Sequence, residues 1–220
     1  MNHTMRRLAR LVVIGNVVFV LAWLLAAVWQ GPRYSVVAHS ISDMYADGAP
    51  GAAFLIVLFT LSGIAVLLFA FWSLWPALRE AGLPARIGAI LLALSIFGLG
   101  DLLSVFEREG CRLADPGCTG AAQTATAGGA TDATLSTLGV LALAVAGFFL
   151  AAAMRRLPEW RGWARPTVWV TVALIVVAVL DAVLGGVGVG GLVERLIALV
   201  GAAGIAALGV GVLQRTRVRA

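Results

Sequence analysis

A chain of 220 residues that is 61% hydrophobic, with a mean hydropathy of +0.98 and only 12% charged residues, carries more apolar surface than a soluble domain can bury. The net charge of +5 raises a nucleic-acid reading, but all sixteen basic residues are Arg and they gather in short segments between apolar runs, as membrane topology requires. Soluble and nucleic-acid-binding classes are therefore excluded, and the expectation is an all-α polytopic membrane protein: one domain, a bundle of six transmembrane helices.

A run of about 20 apolar residues crosses the hydrocarbon core. The first predicted helix covers 11–29, behind Arg6, Arg7 and Arg10. Its apolar stretch is too long for a signal peptide, and Ala26-Ala27-Val28-Trp29 makes a poor cleavage site, so it is read as retained. A loop from Gln30 to Pro50 leads to the second helix, 51–75. A short segment with Arg79 and Arg86 leads to the third, 86–106, which carries Asp101 and, one turn on, Ser104. The loop from Glu107 to Asp132 holds both cysteines, Cys111 and Cys118, and an Ala/Thr/Gly stretch over 119–131 that reads as mobile. The fourth helix, 133–154, begins beside Asp132 and carries Ser136. The fifth, 167–186, carries Asp181, and the Gly-rich turn Gly185–Gly191 leads to the sixth, 192–213, which opens with Glu194 and Arg195.

Twelve of the sixteen Arg fall in the N-terminus, the 76–86 and 155–166 segments and the C-terminal tail, whereas the opposite loops hold Arg33, Arg108 and Arg112. The positive-inside rule then puts both termini in the cytoplasm. The cysteine loop becomes extracytoplasmic, where a Cys111–Cys118 disulfide across Asp115-Pro116-Gly117 persists. Trp72, Trp75, Trp160, Trp163 and Trp169 are expected near the inner interface and Trp29 near the outer one.

Asp101, Asp181, Glu194 and Arg195 lie inside apolar runs, where a charge costs roughly 2.5–3.5 kcal/mol at a helix centre on insertion scales. At 1.5 Å per residue, all four reach a similar depth in the outer part of the core. Two readings follow. In one, the charges pair helices, most simply Arg195 with Asp101 or Asp181. In the other, three carboxylates facing one Arg leave an excess that builds an outward-facing acidic pocket, with His39, Ser42, Asp43, Ser104 and Asp132 as companions. His39-Ser40-Ile41-Ser42-Asp43 has the residue types of a nucleophilic triad, but one helix rarely gives that geometry. With Asp101 or Asp181 it has the donors for zinc. The plainer reading is a helix cap by Ser42 or Asp43, and no metal or cofactor is expected.

The segment His39-Ser40-Ile41-Ser42-Asp43-Met44-Tyr45, followed by Gly48-Ala49-Pro50-Gly51 and a second helix containing Gly63, resembles the signature of a prokaryotic six-pass family known only as domain of unknown function 998. Helix count, loop lengths and the paired-cysteine loop extend the resemblance over the whole chain. It implies a bacterial plasma-membrane protein and no particular activity. Many members carry a His just before the fourth helix; Gly128-Gly129-Ala130-Thr131-Asp132 stands there in this chain, which weakens any His-based or metal mechanism.

Three function classes remain. A one-sided pocket fits binding or modification of an outer-leaflet lipid or small ligand. An accessory subunit would use the charges only for docking or folding. A transporter needs polar groups accessible from both sides, and the inner halves offer mainly Asn16, Thr60, Ser62, Ser73, Ser95 and Thr171, which can bond to their own helices. The bilayer is the one partner expected with no further argument.

Overall fold

The computed structural model describes residues 3–218, so Arg219 of the basic tail lies outside the described residues. Within them the chain is helical and contains no strand. Helix α1 is His3–Ala26, and α2 is Ala52–Phe69, prolonged by a π-helical turn, Ala70–Leu74, into Trp75–Leu78. Then come α3 (Leu83–Ala93), α4 (Ile96–Leu103), α5 (Gly120–Thr124), α6 (Ala127–Arg156), α7 (Arg161–Leu184) and α8 (Gly190–Val218). Five helices are long and apolar enough to cross a membrane, and α3 with α4 makes a sixth span if the pair is counted as one, bent by 42°. The molecule is an integral membrane protein on the length and hydropathy of these helices.

Two sequence expectations change. The third helix is broken, not continuous. Ser95 is extended (ψ 168°), its hydroxyl donates to Leu92 O at 2.7 Å, and its carbonyl accepts from Gly98 N and Gly100 N. The chain therefore restarts as a π-helical turn, the kind of helical irregularity often found at functional sites. The stretch over 119–131 is not a mobile loop. Thr119 accepts from Ala122 N and Thr126 from Gly129 N, so two threonine caps start α5 and α6. Thr131, Thr134 and Thr137 return their hydroxyls to carbonyls four residues back, which hides them from lipid. Trp160 is buried in the core, whereas Trp72 and Trp169 are exposed.

Helix α1 packs on α2 and α8, α6 on α3 and α7, and α7 on α8. The start of α1 meets the end of α8, since a Cβ added to Gly209 would lie 2.9 Å from Ala9 O. The opposite, loop end is tied together between loops: Asp47 N donates to Glu109 O, Leu192 N to Val37 O, and Arg112 to Gln30. Between these ends, Gly63 on α2 touches the backbone of α4. An added Cβ there would sit 2.7 Å from Gly98 O, so only a glycine lets the two helices close and brings Asp101 against α2.

Candidate functional site

The bend in the third span turns α4 toward the centre of the loop end, and a partly open cavity of about 70 Å³ forms there. Its polar wall is Asp101, Ser104, Glu107, Ser136, Glu194 and Ser42. Its apolar lining is half aromatic: Phe19 lies tilted on Phe59 and edge-on to Phe97 with centroids 4.8 and 5.3 Å apart, and Tyr45 meets Phe59 edge-on at 5.8 Å. A space of this size holds several waters, since one needs roughly 10–15 Å³.

Two of the lining carboxylates lack partners. Asp101 is 7% exposed and Glu107 3% exposed, and Asp101 Oδ2 and Glu107 Oε1 accept no hydrogen bond. Burial, reinforced by the nearby Asp132 carboxylate, pushes Glu107 up to about 8. Glu194 Oε2 accepts from Ile41 N at 3.1 Å. Ser104 shares a hydrogen bond with Thr60 Oγ1 at 3.1 Å and donates to Ile56 O. Thr60 thus belongs with the loop-end polar groups and not with the opposite half. No Arg makes a salt bridge to Asp101, Glu107 or Glu194 among the described residues; near this end the ion pairs are Arg108–Asp47 and Arg112–Asp115, the latter with a buried Arg112 and a half-exposed Asp115.

A polar layer roofs the cavity. Tyr45 hydroxyl donates to Asp132 at 3.2 Å, and burial raises the Tyr45 phenol well above its usual range. Gln123 donates to Glu109 at 2.7 Å and to Asp43 at 3.4 Å, and Asp43 also accepts from Leu113 N. Burial, with Asp132, Glu194 and Asp43 adding repulsion, pushes Glu109 up to about 9; burial also raises Asp43. Ser40, not Ser42 or Asp43, caps the short turn Ser42–Met44, by accepting from Asp43 N at 3.0 Å. Cys111 and Cys118 stand at disulfide distance in this layer, Cα to Cα 5.9 Å.

Arg195 does not pair with Asp101 or Asp181. Its guanidinium donates to the carbonyls of Val36, His39 and Gly191 at 2.7–2.9 Å and to the Tyr34 hydroxyl, and it lies over the Trp23 and Tyr34 rings at 5.8 and 5.9 Å. A guanidinium suits this task because its planar fork serves several acceptors at once. Gly191 permits the clamp, since an added Cβ would fall 2.8 Å from His39 N. His39 Nδ1 accepts from Ser35 N at 2.9 Å, which makes the local turn and leaves His39 outside the cavity wall. Asp181 is half-buried, with Oδ1 beside Gly185, and also stands apart from the cavity. No group of three or more His, Cys, Asp or Glu among the described residues has the geometry to hold a metal ion, so the zinc set does not assemble.

Of the residues marked in the sequence, Ser42, Asp101, Ser104 and Glu194 line the cavity; Asp43 and Asp132 lie in its roof; His39 and Arg195 hold the loop beside it; Asp181 lies elsewhere. Glu107 and Glu109 stand out in the sequence only through the acidic content of the 107–132 loop, Tyr45 only through the family signature, and Gln123 not at all, and none of the four is among the candidate pocket residues. Their signal was four polar residues in segments flanked by apolar runs, which loop composition alone disguised. A second, apolar cleft of about 80 Å³ lies between α6, α7 and α8, lined by Leu143, Gly147, Val170, Val200 and Gly204. The Phe97 ring, packed on Gly201, separates it from the acidic cavity.

No curated protein and no solved structure matches the chain. The broken span, the acidic cavity and the polar roof all fall within residues 13–211, the stretch over which the sequence matches the family described as "Protein of unknown function (DUF998)", and the chain belongs to that family.

Proposed function

We propose that this membrane protein binds, or binds and modifies, a lipid-linked or small ligand in the acidic cavity at its loop end. The observation that carries the reading is the pair of buried carboxyl oxygens, Asp101 Oδ2 and Glu107 Oε1, left without partners in a cavity. An unsatisfied buried polar atom costs about 1–3 kcal/mol, so a protein that keeps two at one site has a use for them. The neighbouring apolar cleft supports a ligand with an apolar portion. The Arg asymmetry and the Cys111–Cys118 pair support an orientation with both termini in the cytoplasm and the cavity facing outward, in a bacterial plasma membrane.

A purely structural role for the charges is disfavoured because Arg195, the one buried cation among the four intramembrane charges, is spent on backbone carbonyls. The break at Leu94–Ser95 beside Asp101 gives transport its one supporting feature, since discontinuous helices build transporter sites. Native mass spectrometry of the protein released from its membrane tests the binding reading. The wild type should retain a bound small molecule that Asp101→Asn and Glu107→Gln lose at equal folded yield; identical spectra for all three would defeat it.

A further inference from the structure

Resting on that reading, we infer that the cavity is built for an organic ammonium ion, a protonated amine or quaternary ammonium with a small apolar substituent. Three carboxylates, Asp101, Glu107 and Glu194, line one wall, and two of them are more than nine-tenths buried with an oxygen that accepts nothing. Among the described residues no cation makes an ion pair with Asp101 or Glu107, and Arg195 acts on Glu194 only from a distance. Arg195 faces Tyr34, Trp23 and backbone carbonyls, Arg108 serves Tyr45 O, Ala46 O and Asp47, and Arg112 serves Gln30 and Asp115. An anionic or carbonyl-rich ligand would meet acceptors with acceptors. A neutral alcohol would satisfy one oxygen but, unlike an ammonium ion, would not favour the ionised form of Glu107, which burial otherwise keeps protonated. A bare metal ion needs ligands converging at about 2–2.6 Å, and no such convergence exists among the described residues.

The aromatic part of the lining selects among cations. Phe19, Phe59, Phe97 and Tyr45 present ring surface to the same space. Aromatic faces attract ammonium groups within about 6 Å and do so best where water is excluded. They also accept the alkyl groups of an organic cation, which a hydrated metal ion lacks. Carboxylates and rings in one lining are the two halves of ammonium recognition, and no other described site in the molecule combines them.

Calorimetric titration of the whole protein in neutral-detergent micelles tests this, with n-butylammonium and tetramethylammonium as probes and n-butanol, sodium and magnesium as comparisons. At least one ammonium probe should bind tenfold or more tightly than n-butanol. Asp101→Asn and Glu107→Gln should each weaken it at least tenfold, and Asp181→Asn should leave it unchanged. If Asp101→Asn fails to fold, Glu107→Gln and competition between the two probes carry the test. Binding of n-butanol as tight as n-butylammonium, or heat from magnesium alone, overturns the inference. A retained neutral molecule in the mass spectra combined with silent ammonium titrations defeats the ammonium assignment and leaves the binding site standing. Silence in both experiments defeats the two together.

Discussion

Glu109 and Glu107 are the residues whose protonation the fold controls most plainly outside the membrane-spanning segments. Burial is the first cause for both, with Asp132 next, and it raises them from an ordinary value of 4.5 to about 9 and about 8. Each therefore holds its proton in the folded chain at pH values where the unfolded chain has released it. The folded state binds more protons, so stability is greatest below about 4.5 and is lost as pH rises through 8 to 9. The unfolding temperature in detergent should fall as pH is raised from 5 to 9, and Glu109→Gln should flatten part of that slope. A profile that rises over this range would contradict the assignment. The sequence marks both glutamates as acidic loop content but not as cavity residues, because a carboxylate in a polar loop is ordinary. Their burial depends on Gln123 and Tyr45, brought close from segments 14 and 87 residues away from their own partners, Glu109 and Asp132. Asp101, by contrast, was legible from composition alone, since its neighbours Gly100 and Leu102 belong to an apolar run.

At the level of elements, the broken third span decides the site. A continuous helix over 86–106 is what hydropathy implies, and only Ser95 and the closely spaced Gly98 and Gly100 hint at the break. The break needs a neighbour to accept it, and α2 does so at Gly63, where its backbone rests on Gly98 O and Leu102 N. Gly63→Leu should push α4 away, lower the unfolding temperature and abolish ligand retention together; Gly82→Ala, at an open turn with φ +77°, should cost stability without altering retention. If Gly63→Leu keeps its ligand, the α2–α4 approach does not build the cavity. The threonine caps of α5 and α6 teach the same lesson in reverse: an Ala/Thr/Gly stretch that reads as disordered contains, in Thr119 and Thr126, the residue type that starts helices.

The whole molecule has a polar loop end and an apolar shaft. With the bent pair as one span, the chain crosses six times and its ends share a side; with five spans, they part. Single cysteines introduced at Arg10 and Gln214, in a Cys111→Ser/Cys118→Ser background, should both resist a membrane-impermeant thiol reagent in intact cells, whereas Thr119→Cys should react. Labelling of only one of the two terminal positions would mean that α3 and α4 enter and leave on one side. Hydropathy foresaw an all-helical chain with five to six apolar spans. The packing that makes a cavity was beyond it, because it depends on where one helix bends.

The Arg195 clamp joins α8 to carbonyls about 156–159 residues earlier in the chain. It orders events in time. During synthesis the segment around Val36 to Ile41 emerges early, yet its acceptors wait until Glu194 and Arg195 have been made and inserted. Until then the first loop is held only by its contacts to the segments around Arg108–Arg112, such as Asp47 N to Glu109 O and Arg108 to Tyr45 O. The last tie on this loop is therefore made by the last helix.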